Sequence, residues 1–210
     1  MKRINDIFYS LQGEGYNTGR AAVFIRFAGC NLRCPFCDTE FDSYREMSDE
    51  EILTAVKALT SEYGLQTSDY RLLVVLRGGE PTLQVDEAFV DLLHEHGYEV
   101  AMESNGTRPA PQNLDWLTVS PKSLPPTLSQ RSGRMPDELK VVFTTEENLE
   151  QQLPNLPLPM EGVGGRLFLQ PCDTGDARRN AAIVEQCVDY IKQHPQWRLS
   201  LQTHKLVGFK

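Results

Sequence analysis

Apolar residues along this 210-residue chain gather into short runs bounded by polar and glycine-rich segments. Ala22–Ala28 (AVFIRFA), Leu72–Leu76, Tyr98–Met102, Trp116–Val119, Leu139–Phe143 and Leu167–Leu169 have the β-branched and aromatic content of buried strands. Between them the spacing becomes helical. Ser48 with Glu51 three residues on is a capping box, followed by Ile52, Leu53, Val56 and Leu59 on one face and closed by Gly64. Asp86–His96 carries Phe89, Val90, Leu92 and Leu93 inward and ends at Gly97. Ala177–His194 carries Ile183, Val184, Cys187, Val188 and Ile191, stopped by Pro195. Alternating strand and helix predict βαβ units, right-handed crossovers and a parallel α/β sheet. Lys122–Pro136 and Pro154–Gly165 have no period and read as loops, and Trp197–Lys210 (WRLSLQTHKLVGFK) reads as one more strand.

Composition narrows the class. With 40% hydrophobic and 24% charged residues the chain should fold as one soluble domain, residues 1–210. Lys and Arg number 21 against 29 Asp and Glu, a net charge of −8, so the positive field of a nucleic-acid binder is missing. No run approaches the ~18 apolar residues of a membrane span, and MKRINDIFYS lacks a signal-type stretch, so the expected compartment is the cytoplasm, with neither membrane nor nucleic acid as partner.

The unusual residues sit where strands stop. Gly29-Cys30, Gly78-Gly79-Glu80-Pro81, Glu103–Thr107, Ser120-Pro121-Lys122 and Gln170-Pro171 each follow an apolar run, which predicts that five loops converge on one rim at the carboxyl ends of the strands. A full eight-unit barrel takes ~250 residues, so about six parallel strands with a reduced set of helices read as an incomplete, TIM-like barrel.

Three of the five cysteines, Cys30, Cys34 and Cys37, form a CxxxCxxC loop, unlike a disulfide framework. Structural zinc wants four ligands, and no second pair or nearby His follows. A cubic four-iron cluster held by three thiolates leaves one iron open to an external ligand.

This loop, with Phe36 before its last cysteine and GGEP at Gly78–Pro81, resembles the radical S-adenosylmethionine (SAM) superfamily. Tyr9–Gly15 (YSLQGEG), Phe24–Arg26, Gly29–Leu32, Cys37–Thr39, Glu103–Thr107, Ser120–Lys122, Glu138–Lys140, Leu169–Pro171 and Leu201–Lys205 extend the resemblance along nearly the whole chain, to the 7-carboxy-7-deazaguanine synthase family. The resemblance implies a carbon–nitrogen lyase that contracts 6-carboxy-5,6,7,8-tetrahydropterin with loss of ammonia, on the route to queuosine-type deazapurines. It implies a homodimer, a small electron donor such as flavodoxin or ferredoxin, and three cofactors: a 4Fe-4S cluster, SAM and Mg2+.

Carried over by resemblance, Cys30, Cys34 and Cys37 hold the cluster and Thr39 the magnesium. Phe36, Asp38, Gly79, Glu80, Glu103, Ser104, Asn105, Ser120, Pro121, Lys122, Gln170, Pro171, Cys172 and Asp173 face SAM. Leu11, Gln12, Gly13, Glu14, Arg26, Arg77, His204 and Lys210 face the pterin, with Lys205 in the segment that closes over it. An inward arginine such as Arg26 requires an anion, either a substrate carboxylate or an internal acid, Asp38 or Glu103. Arg77 stands where the family usually has Thr, and it can serve the carboxylate, pair with Glu80 or Glu103, or narrow the pocket. Ser104 in place of Thr keeps the hydroxyl. Two other readings compete: a radical-generating activase of a protein substrate, which usually adds cysteine-rich clusters, and a non-enzymatic metal module, which leaves the five loops unexplained. Cys187, on an apolar helix face, reads as a core residue.

Overall fold

The computed structural model describes residues 1–37, 40, 42–65, 71–122, 134–152 and 166–210. Its strands are β1 Lys2–Leu11, β2 Ala21–Phe27, β3 Arg45–Met47, β4 Leu73–Gly78, β5 Glu99–Ser104, β6 Trp116–Val119, β7 Glu138–Phe143, β8 Leu167–Pro171 and β9 Trp197–Leu199. Its helices are α1 Asp49–Glu62, α2 Glu87–Glu95, α3 Glu146–Gln152, α4 Ala177–Gln193 and α5 Thr203–Val207, with a 3-10 turn at Pro81–Leu83.

One sheet takes all nine strands in the order β3-β1-β2-β4-β5-β6-β7-β8-β9. From β2 to β9 every pairing is parallel, while β1 runs antiparallel to both β2 and β3. The six strands expected from the apolar runs are all present. The strand expected over Trp197–Lys210 ends at Leu199 and the chain turns into α5. There Thr203 donates its N–H to the Gly13 carbonyl at 3.0 Å, which draws the backbone off the sheet edge and across the barrel mouth.

β1 escaped the pattern because its polar residues are half-buried. Lys2 is buried against Asp49 at 2.5 Å, with its ammonium 4.6 Å from the centre of the Phe89 ring. A register shift between Ile4 and Asp6 then breaks the period-two alternation.

The sheet separates two apolar layers. Residues such as Val23, Ile25, Val74, Leu76, Val100 and Met102 point outward, where Ile52, Val56, Phe89, Val90, Leu93 and Ile183 of the helices cover them. The predicted capping box is formed, with Ser48 and Glu51 bonding each other's backbone. Val184, expected on the inner face of α4, is exposed, and Tyr190 fills that face with Ile183 and Cys187. Cys187 is fully buried as expected, and burial pushes its thiol up to about 12.

The opposite face forms the barrel interior. Phe8, Ala22, Phe24, Leu73, Val75 and Ala101 make its apolar layer. Two residues further along each strand the same face turns polar, since parallel register sets Arg26 beside Arg77 and Glu103 beside Thr118. The β1–β2 hairpin reaches across this interior: Gly15 N–H bonds Ser200 Oγ at 3.0 Å and Tyr16 N–H bonds Glu138 Oε2 at 3.0 Å. These contacts curl the sheet into a partial barrel whose edges are β3 and β9.

Candidate active site

The strand ends enclose a cavity of about 1030 Å3 including its open mouth. All five predicted loops contribute to it, through Cys30, Gly79, Asn105, Ser120 and Gln170 among others. Cys34, Phe36, Cys37, Glu103, Ser104, Lys122, Pro171, Cys172, Asp173, Glu14 and Arg77 line the same space. The predicted rim is therefore one site.

GGEP shapes this rim through close approach. A Cβ on Gly79 would lie 1.9 Å from the Gly29 carbonyl oxygen, so only glycine lets the β4 end pack beneath the cysteine loop. Gly79 N–H also bonds Phe27 O at 2.9 Å and Glu80 N–H bonds Gly29 O at 2.9 Å. Glu80 is fully buried, and its carboxylate accepts from Ser104 Oγ at 2.8 Å, Asn105 N–H at 2.7 Å and Thr82 Oγ1 at 2.7 Å. The structure thus places Glu80 beneath the cavity, where it ties the β4 and β5 loops together. Pro121 is likewise buried and outside the cavity lining.

The cysteine loop is fastened by an amide that the cysteine spacing does not reveal. Asn31 Nδ2 donates to Thr107 Oγ1 at 2.7 Å, and Asn105 Nδ2 donates to Asn31 Oδ1 at 3.0 Å, with Cys30 Sγ 3.9 Å away. Burial pushes the Cys34 thiol up, with Lys122 pulling it down and Cys37 and Cys30 pushing it up again. Lys122 donates to Ser120 Oγ at 2.6 Å, and burial lowers its own pKa. Among the described residues no three His, Cys, Asp or Glu side chains close on a single-ion point. Three thiols around a shared cavity, with backbone approach kept open by Gly79, suit a multi-iron cluster better than one zinc ion. Three of the four histidines are engaged elsewhere: His94 bonds Asp115 at 2.7 Å, and His96 and His194 each bond a carbonyl one turn back. Asp38 and Thr39 lie outside the described residues.

The floor of the cavity is ionic. Lys140 is buried in an ion pair with Glu14, and Gln202 Nε2 donates to Glu14 Oε1 at 3.1 Å. Burial works against the charged forms, yet Lys140 and Arg77 hold Glu14 well below the carboxylate range, and Glu103 and Glu14 hold Lys140 above the usual lysine value. Glu103 accepts from Gln12 Nε2 at 2.9 Å and is likewise held low, against burial, by Lys140 and Arg77. Arg77 Nε lies 3.7 Å from Glu103 Oε2, the pairing with Glu103 that was one of its three anticipated roles. Glu138 is the exception, since burial raises its pKa to about 7 against the pull of Lys140. Lys140 received no role from the motifs. Its signal was a lysine inside the apolar run LKVVF at an inward position.

A second cavity, about 680 Å3 including its open mouth, adjoins the first across Arg77 and Gln202. Leu11, Gly13, Arg26, His204, Lys205 and Lys210 line it. The C-terminal segment that forms its wall is pinned by Lys205 to Asp173 at 2.7 Å and by Lys210 to Asp6 at 2.6 Å. A side chain on Gly13 would meet His204 Nδ1 at 2.5 Å.

A partial α/β barrel with a three-cysteine loop at the end of a strand and glycines beneath it defines a radical SAM class of site. The Radical SAM superfamily model matches residues 24–155. Along its full length the chain is 47% identical to a 7-carboxy-7-deazaguanine synthase of Bacteroides thetaiotaomicron, covering 100% of both chains. It is 42% identical to a 7-carboxy-7-deazaguanine synthase of Nitratidesulfovibrio vulgaris, covering 98% of each. The fold is similar to the crystal structure of QueE from Escherichia coli, with TM-score 0.69, 28% identity, and 95% and 93% of the two chains covered. The chain belongs to the 7-carboxy-7-deazaguanine synthase family of radical SAM enzymes. A 4Fe-4S cluster and SAM are the cofactors of that chemistry, and the three-thiol cavity fits them.

Proposed function

We propose that this chain, acting as a single radical SAM domain, converts 6-carboxy-5,6,7,8-tetrahydropterin to 7-carboxy-7-deazaguanine with loss of ammonia. The observation that carries this reading is the pairing of two cavities, one built around three thiols and one lined by cations, across a shared ionic wall. When bound, the cluster and SAM supply one-electron cleavage of a sulfonium and hence hydrogen abstraction from the substrate.

The chain's own residues bind, orient and exclude water. Cys30, Cys34 and Cys37 would hold the cluster, and Gly79, Ser120, Lys122, Gln170 and Asp173, which line the same cavity, would bind SAM. Gln12 and Glu103, joined at 2.9 Å, present an amide and an ionised carboxylate of the kind that reads the amino and ring N–H edge of a pterin. Arg26 faces the substrate carboxylate. Lys140 and Glu14 stay charged across the ordinary pH range, so they fix the field of the site and do not exchange protons. His204 and Lys210 close the mouth.

The finer features rest on the motifs and on family resemblance. We read Thr39 as the hydroxyl ligand of a magnesium ion that arrives with the substrate carboxylate. A homodimer, a flavodoxin or ferredoxin as reductant, and a cytoplasmic location complete the reading, with no membrane or nucleic-acid partner. Among the described residues no helix is long and apolar enough to cross a membrane.

The test is anaerobic turnover of 6-carboxytetrahydropterin by reconstituted protein with SAM, magnesium and a reductant, followed by mass spectrometry. Appearance of 7-carboxy-7-deazaguanine and ammonia is the expected result. Release of 5′-deoxyadenosine alone would keep the radical chemistry and reject the substrate.

A further inference from the structure

Three polar side chains close a ring beside the first cysteine of the loop. Asn31 Nδ2 donates to Thr107 Oγ1 at 2.7 Å, Thr107 Oγ1 donates to Asn105 Oδ1 at 2.6 Å, and Asn105 Nδ2 donates to Asn31 Oδ1 at 3.0 Å. The ring has one orientation only. The Thr107 backbone N–H, which can only donate, bonds Asn105 Oδ1 at 3.0 Å, so the Asn105 oxygen faces Thr107 and its amide nitrogen faces the cysteine loop.

That nitrogen lies 3.9 Å from Cys30 Sγ, and the Leu32 N–H donates to the same sulfur at 3.4 Å. A third contact, 4.0 Å from Cys30 Sγ to Asn31 Oδ1, uses the thiol proton and is lost once the sulfur ligates iron. The ligating sulfur then keeps two N–H donors, one from the backbone and one from a side chain. Asn105 is held in place from behind, because the residue is buried and its backbone N–H bonds the Glu80 carboxylate at 2.7 Å. Replacing its side chain therefore leaves the backbone anchored.

N–H donors aimed at a cluster sulfur stabilise the reduced, more negative state and raise the reduction potential. We infer that Asn105 is a redox-tuning residue, whose amide donates to the Cys30 sulfur and makes the cluster easier to reduce. This role is distinct from the SAM contact that family resemblance gives the residue. The inference rests on a cluster held by Cys30, Cys34 and Cys37 and states what sets its potential.

The experiment is an anaerobic spectroelectrochemical titration of the reconstituted holoprotein without SAM, in which mediators poised by an electrode give each cluster one electron. Iron content is measured first. At the potential where half the wild-type cluster is reduced, Asn105→Leu is expected to lower the reduced-to-oxidised ratio by about fivefold, a share of what a hydrogen bond to a charged group is worth. Thr107→Val is the control, because it opens the ring while the backbone N–H of residue 107 still holds the Asn105 oxygen, and its ratio should stay close to that of wild type. An unchanged ratio in Asn105→Leu would overturn the inference. An equal fall in Thr107→Val would overturn it too, by showing that the ring only fastens the loop. Should Asn105→Leu not take up iron, Asn105→Ser, too short to reach the sulfur, is read in the same way. Wild-type protein that takes up no iron would overturn the cluster reading itself.

Discussion

The Lys140 ammonium on β7 is buried against the Glu14 carboxylate of the β1–β2 hairpin, across the barrel interior. Both side chains are only 6% exposed, so neither charge is satisfied by water. The pair locks the hairpin over the floor of the first cavity, and Arg77 and Gln202 form the wall shared with the second.

Removing one partner leaves the other charge buried alone. Lys140→Met is therefore expected to destabilise the protein by about 3–5 kcal/mol, and the double variant with Glu14→Gln to recover part of the loss. Denaturant midpoints of the four proteins in the cycle check this. The sign with pH follows from the directions of the two shifts. Glu14 is held below the carboxylate range, so its contribution is full above its unfolded pKa and lost as pH falls through the folded one. Lys140 is held above the lysine value, so its share is full at neutral pH and lost only in strong alkali.

Glu138 should behave oppositely. Its folded pKa, raised by burial to about 7 from the ordinary glutamate value of 4.5, favours folding only in the protonated form. The relative stability it gives is complete below about 4.5 and lost as pH rises through 7. Glu138→Gln is expected to match wild type near pH 4.5 and to exceed it by roughly 1–3 kcal/mol at pH 8. Melting temperatures across that range decide, and a difference that shrinks with rising pH would refute the assignment.

Gly79 has no room for a side chain. Gly79→Ala should push the cysteine loop away from the β4 end and lower iron content after reconstitution, with activity falling about 100-fold for a displacement of the order of 1 Å. Iron and acid-labile sulfide assays, read beside the melting curve, separate loss of the cluster from loss of the fold.

The Glu80 carboxylate accepts four hydrogen bonds, from Ser104 at the end of β5, from the Asn105 N–H that follows it, and from the N–H and hydroxyl of Thr82. Glu80→Ala is expected to cost about 1–3 kcal/mol and to weaken SAM binding, because Ser104 and Asn105 lose their anchor. By contrast, Ser48→Ala breaks only the capping box of α1, costs about 1 kcal/mol and leaves turnover intact.

The chemistry was more legible in the sequence than the frame around it. Cysteine spacing, GGEP and the polar segments at strand ends carried the site because each must break an apolar run where it occurs, and all five loops meet in the structure. β1 was hidden because its buried Lys2 and half-buried Asn5 and Asp6 take partners supplied by distant segments, which periodicity cannot register. Tertiary bonds to Gly13 likewise turned the expected C-terminal strand into α5. Lys140 and Gln202 were missed for a similar reason: their roles exist only once the barrel curls and brings Glu14 to them. Val184 shows the converse, an apolar residue at helical spacing that the packing leaves outside.

That Cys30, Cys34 and Cys37 hold a cluster with one iron open toward SAM is tested most directly by electron paramagnetic resonance of the reduced, reconstituted protein with and without SAM. The expected result is a 4Fe-4S signal that shifts when SAM is added and is lost in the Cys34→Ala variant. A signal that SAM leaves unchanged, or protein that takes up zinc in place of iron, would contradict the assignment.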